Sequence, residues 1–148
     1  MILLILLAPL ANAGDWPAWR GPSADGVVVD SNVPLTWSPD SAAWKTKIPG
    51  TGYSSPIIRG DRIVLTSSGV KSPTDRCVIC INFASGNIEW TTPVFDSPIE
   101  KMHRLNSPAS STPTCDDDHI YVTFTENGYV GVAALDFEGK LIWTQRPG

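Results

Sequence analysis

The chain has 148 residues, 42% of them hydrophobic and 18% charged, and 11 basic against 15 acidic side chains give a formal net charge of −4. That length fills one ordinary core rather than two, and without clustered Lys and Arg the chain has no nucleic-acid footprint. With 13 Pro, 12 Gly and 6 Trp, the composition fits a turn-rich β protein and excludes a coiled coil or a long disordered acidic chain.

Residues 2 to 10 form a short apolar run that ends at Ala11-Asn12-Ala13, a small-x-small site of the kind a signal peptidase cleaves. Cleavage there removes residues 1–13 as a signal peptide and starts the mature chain at Gly14. No Lys or Arg precedes the run, and the leader is shorter than the ~15–30 residues of a usual secretory signal, which points to a truncated leader. A membrane-spanning helix needs ~20 apolar residues, so a retained anchor is the weaker alternative. No Cys follows the cleavage site, so no lipid anchor is expected there. The expectation is an exported soluble protein, periplasmic or extracellular, without a membrane span.

An amino-terminal segment, 14–43, precedes the patterned region 44–148. In that region short runs of Val, Ile, Thr, Tyr and Trp alternate with clusters of Gly, Pro, Asp and Asn, and no window keeps a helical period over three turns. Strands are predicted at 54–58, 62–67, 76–82 and 87–92, and again at 110–114, 119–125, 129–136 and 141–145. A further strand of the same kind is expected around Trp44. Arg59-Gly60-Asp61 and Asp116-Asp117-Asp118 supply tight turns between the first and second strands of each set. Gly86 and Gly139 turn the chain from the third strand into the fourth.

Three cysteines are too few for a disulfide framework. Cys77-Val78-Ile79-Cys80 has the C-x-x-C spacing, but haem attachment requires His at position 81, which is Ile. A zinc site would need further ligands, and Cys115, His103 and His119 stand at no recognised spacing. In a strand, positions 77 and 80 face opposite ways, which disfavours a bridge between them. Buried, unpaired cysteines are the expectation.

The second set of strands repeats the first. Residues 54–66 align without gaps on residues 111–123, with five of thirteen positions identical, and 85–91 align on 138–144 after a register shift of four. Trp44 and Trp90 are 46 residues apart, and Trp90 and Trp143 are 53 apart, close to the ~40–50 of propeller repeats. The extra length lies in a loop at 92–109. A four-stranded sheet of this period cannot bury both faces alone, so such units stack radially as blades. The predicted fold class is therefore all-β, a β-propeller of four-stranded antiparallel blades, with blades at about 51–92 and 109–146.

Two stretches carry a family resemblance, Ile81-Asn82-Phe83-Ala84-Ser85-Gly86-Asn87-Ile88-Glu89-Trp90 and Leu135-Asp136-Phe137-Glu138-Gly139-Lys140-Leu141-Ile142-Trp143. They resemble the blade ending Leu-Asp-x-x-Thr-Gly-Lys-x-x-Trp of the PQQ-like β-propeller repeat proteins; the second copy is one residue short. Asp15-Trp16-Pro17-Ala18-Trp19-Arg20-Gly21-Pro22 is similar to the amino-terminal signature of a secreted, BamB-like branch. The resemblance implies that the last Trp of a blade packs on the Gly of a neighbouring blade, which assigns Trp44, Trp90, Trp143, Gly86 and Gly139 to docking. It also implies six to eight blades, so that two blades and one leading strand read as the front of a longer protein.

Two functions compete under that resemblance. One is a non-catalytic exported scaffold that offers propeller loops to a protein or saccharide partner, with no cofactor. The other is a PQQ-dependent quinoprotein oxidoreductase truncated before its active site; such an enzyme binds PQQ and calcium and needs a catalytic Asp, Glu and Asn metal ligands and typically a pair of adjacent cysteines. No Cys-Cys pair exists in the chain, and Asp116, Asp117 and Asp118 read as turn residues. The candidate binding residues are His103, Arg104 and Asn106, which share the long loop between blades, since loops on a rigid scaffold are where binding residues concentrate. No Ser or Cys nucleophile pattern accompanies them. The two Trp and the Arg of residues 15–20 read as a staple that holds the amino terminus to a blade.

Overall fold

The computed structural model describes residues 14–28 and 34–147. The leader at 1–13 lies outside the described residues. Eight strands form two four-stranded antiparallel sheets of simple meander order. The first holds β1 (Ile57–Arg59), β2 (Arg62–Ser68), β3 (Asp75–Asn82) and β4 (Ile88–Asp96); the second holds β5 (Thr114–Cys115), β6 (Ile120–Glu126), β7 (Tyr129–Leu135) and β8 (Leu141–Gln145). A single 3-10 turn, Pro39–Ser41, is the only helical element among the described residues. The protein is all-β, two propeller blades side by side in an unclosed array.

The strands differ from the sequence expectation at their ends, for local reasons. β1 begins three residues late because Pro56 has no N–H to give a ladder, and because Ser54 and Ser55 bond outside β1. The Ser54 hydroxyl accepts the Thr66 N–H at 3.1 Å, and the Ser55 N–H reaches the Thr112 hydroxyl at 3.2 Å, tying the blades together. β4 runs on to Asp96, bulged against β3 in two places, so the predicted loop is shorter than 92–109. The strand expected around Trp44 does not form among the described residues: residues 44–48 join no ladder, and side chains of Trp44 and Thr46 hold them instead.

The core lies between the blades. Ile57, Val64, Val78, Cys80 and Val94 of the first sheet meet Ile120, Val122, Phe124, Ala133 and Leu135 of the second, with Ala109 of the connecting loop among them. Alternation along each strand selects these residues, and each fully buried aliphatic side chain contributes ~1.5–3 kcal/mol. Phe95 and Phe124 pack edge to face at 6.2 Å, and a Cβ at Gly131 would meet the Phe95 ring at 2.8 Å. Only Gly fits this crossing.

The amino-terminal segment closes the inner edges of both sheets. Trp16 pairs with Ile58 by two backbone bonds, of 2.8 and 2.9 Å, and the Pro17 carbonyl accepts the Cys115 N–H at 2.9 Å. Asp15 receives the Gly60 N–H and the Arg59 guanidinium. A sheet edge so covered is closed to pairing with another chain.

Two blade ends are locked by one repeated device. The Trp44 indole lies over Gly86 and donates from Nε1 to the Phe83 carbonyl at 2.9 Å, while the Thr46 hydroxyl donates to the Gly86 carbonyl at 2.5 Å. Trp90 lies over Gly139 in the same way, donating to the Phe137 carbonyl at 3.1 Å, with Thr92 donating to the Gly139 carbonyl at 2.6 Å. A Cβ at either glycine would come within 2.5 Å of the indole, and both have φ above +70°, so no other residue serves there. The second turn has one residue, Glu138, between Phe137 and Gly139 where the first has two, Ala84 and Ser85, and both bonding groups stay in place. Trp143 stands apart: it is 39% exposed, lies 6.1 Å from the Tyr121 ring and covers no glycine among the described residues.

Candidate functional site

The two ends of the blades have different characters. At one end, tight turns join β1 to β2, β3 to β4, β5 to β6 and β7 to β8. The other end carries the β2–β3 loop, the β6–β7 turn and the long β4–β5 loop that holds His103, Arg104 and Asn106.

At the turn end the charges answer one another. Arg59 bridges Asp15 at 2.6 Å and also Asp117, and these two carboxylates raise its pKa, Asp15 contributing most. Arg62 has Asp61, Glu138 and Glu89 at 3.3, 3.7 and 4.0 Å. Asp116 accepts the Tyr121 hydroxyl at 2.7 Å and the N–H groups of Asp118 and His119, and these bonds hold its carboxyl down at about 2. The open groove here, about 790 Å³, is thus lined by side chains already committed to structure. Among the described residues no three His, Cys, Asp or Glu side chains gather as a metal site would require.

At the loop end, Asp75 organises the β2–β3 connection. Burial alone would raise its pKa, but the N–H groups of Val70, Ser72 and Lys71 bond its carboxylate and together bring it below the ordinary value. With Gly69, four consecutive N–H groups converge on it at 2.6–2.9 Å. The β4–β5 loop is braced from within. Asn106 Oδ1 accepts the Ser107 N–H at 2.9 Å and the Ser110 hydroxyl at 2.5 Å, and His103 Nδ1 accepts the Leu105 N–H at 3.2 Å. Ser97 and Glu100 clamp the loop to the β6–β7 turn through the Asn127 and Gly128 N–H groups, at 2.9 and 2.7 Å.

Three hollows meet on Asn106, Ser107 and Pro108, of about 680, 280 and 180 Å³. His103 and Asn106 both line the second, together with Arg76; Arg104 is exposed and lines none of them. The structure therefore brings two of the three predicted loop residues together and adds Arg76, which sequence reasoning passed over as the start of a strand. The available signal was alternation: Arg76, Val78 and Cys80 occupy one face of β3, so a charge sits in line with core residues.

The cysteines carry no chemistry of this end. Cys77 and Cys80 are buried and unbonded to one another, and burial pushes both thiols up to about 12, helped by the charges of Asp75 and Glu89 respectively. Thiols so raised are poor nucleophiles at neutral pH. Among the described residues the cysteines are thus unpaired, and the turn carboxylates of Asp116 and Asp117 are engaged in hydrogen bonds and an ion pair.

Residues 27–147 match the sequence model of the family described as outer membrane protein assembly factor BamB. No curated protein matches the chain.

Proposed function

Since the chain belongs to the BamB-like family of PQQ-repeat proteins, we propose that it is an exported, non-catalytic propeller scaffold that presents its loop end to a protein partner. The family description names a factor in the assembly of outer membrane proteins, and a scaffold of that kind acts by holding another chain. The observation that carries the reading is the meeting of three hollows on a loop that its own hydrogen bonds hold in shape. Exposed Leu105, Ile99 and Tyr129 lie beside them, which gives the apolar contact area that protein interfaces use. Export rests on the leader sequence and its Ala11-Asn12-Ala13 site. A saccharide ligand is the second reading, favoured by the largest of the three hollows, where Tyr53 offers an exposed ring and Thr51 a hydroxyl in the same lining.

A photo-cross-linking amino acid placed at Leu105 or at Asp61 tests the first reading in the producing cell. Protein adducts are expected from position 105 and not from 61. Adducts from 61 alone, or from neither, would refute it. Fractionation of the same cells tests export, which fails if the chain stays in the cytoplasm.

A further inference from the structure

Arg76 is 1% exposed and has no carboxylate within 4.0 Å among the described residues; Glu100, Asp75 and Asp96 act on it from further away without an ion-pair contact. Buried arginines are ordinarily paired, because an unneutralised charge out of water is costly. Its partners are instead neutral oxygens. Nη1 donates to the Thr74 and Asp75 carbonyls at 2.9 and 3.2 Å and to the Ser68 hydroxyl at 3.3 Å. Nη2 has a single long bond, 3.4 Å, to the Pro98 carbonyl, and Nε has none. The arginine of the other blade end with an unbonded Nε, Arg62, differs in having three carboxylates within 4.0 Å.

The under-used donors of Arg76 lie on one edge of the guanidinium, where Nε–H and Nη2–H stand side by side. That edge matches the two oxygens of a carboxylate. The hollow of about 280 Å³ that Arg76 lines also has Lys101, His103 and Asn106 in its wall. Its one carboxylate, Glu100, is committed through Oε1 to the Gly128 N–H.

We propose that this hollow is a socket for an Asp or Glu side chain of a protein partner, with Arg76 as its anchor. The incoming carboxylate displaces the Pro98 carbonyl, the most distant of the arginine's partners, and takes the free edge, while Lys101 and His103 stand at the mouth. Its volume suits one side chain rather than a whole small ligand. Exposed Ile99, Leu105 and Tyr129, chain neighbours of the lining residues Glu100, Asn106 and Val130, add apolar contact area around this charged wall, as an anchor residue inside an interface requires. The proposal rests on the loop end being the binding end.

The test is an NMR titration of the full chain, reading the Arg76 Nε–H resonance and the amides of residues 97–108. The probes are the capped dipeptides acetyl-Leu-Glu-amide and acetyl-Leu-Gln-amide, with sodium phosphate and sodium glucuronate as further arms. The Glu peptide is expected to move these resonances saturably and to bind about tenfold more tightly than the Gln peptide, as charge-assisted bonds require. Arg76→Lys, which retains the charge but not the fork, should keep the dispersed amide spectrum and lose that preference. Should the variant unfold, the wild-type comparison of Glu and Gln peptides still decides. Equal binding of the two peptides, or a Glu peptide that leaves Arg76 unmoved, overturns the socket. Phosphate or glucuronate binding as tightly as the Glu peptide overturns the assignment to a protein side chain. Cross-links from position 105 with no response at Arg76 would leave the loop end as a binding end and remove the socket alone.

Discussion

Arg59 and Arg76 stand at opposite ends of the first blade, and their surroundings differ in a way that divides the molecule. Arg59, at the turn end, is part-exposed and shared between two carboxylates, one of them on the amino-terminal segment and one on the second blade. It joins three pieces of chain and has nothing left to offer. Arg76, at the loop end, is buried, has no carboxylate within 4.0 Å among the described residues, with Glu100, Asp75 and Asp96 acting on it only from further off, and bonds only neutral oxygens. Satisfied charges mark where a scaffold holds itself, and an under-satisfied buried charge marks where it is prepared for another molecule.

The largest expected effect lies in the frame of the turn end. Trp90→Ala removes an indole that seals Gly139 and bonds Phe137, and should cost ~3–5 kcal/mol in denaturant unfolding. Trp143→Ala, at the corresponding position but over no glycine among the described residues, should cost this chain much less. Equal losses would mean that the docked and undocked tryptophans are energetically alike.

Asp75→Ala comes next. The carboxylate gathers four N–H groups, and bonds to a charged acceptor contribute ~1.5–3 kcal/mol, so a loss of that size is expected at neutral pH. The folded-state pKa lies below the ordinary 3.8. The stability it adds is therefore complete above 3.8 and is lost as the pH falls through the lower folded value. Acid unfolding of the wild type should show this limb and the variant should lack it. An unchanged acid limb would show that the carboxylate does not hold the loop.

The smallest effects sharpen the comparison from the other side. His103→Ala and Arg104→Ala should each change stability by no more than about 0.5 kcal/mol, as for surface positions, while reducing cross-linking from position 105. Strong destabilisation by either change would place these side chains in the frame. Ellman's reagent on the native chain should label half-buried Cys115 before Cys77 and Cys80, whose thiols burial keeps protonated. Early labelling of the C-x-x-C pair would break the assignment of β3 to the core.

Most of the fold was legible because it is written twice. The Ser-x-Pro strand starts, the Gly turns and the spacing of Trp44, Trp90 and Trp143 each occur in more than one copy, and a repeat exposes its own frame. What escaped depends on non-repeated neighbours. The strand expected around Trp44 has the right residues, but among the described residues no second strand runs beside it. Arg76 looked like an ordinary strand start because its meaning comes from the β4–β5 loop folding back over it. Of the candidate site, the loop could be found from its length and composition. The buried arginine beneath it could be found only by following the alternation of β3 back from Val78.

Hydrogen exchange on the chain alone, and on the complex cross-linked through position 105 in the cell, tests the division between the two ends most directly. Slowed exchange is expected at residues 69–75 and 97–108, with the turns at 60–61, 83–87, 116–119 and 136–140 unchanged. Protection confined to those turns, or to the amides of β8, would contradict the account.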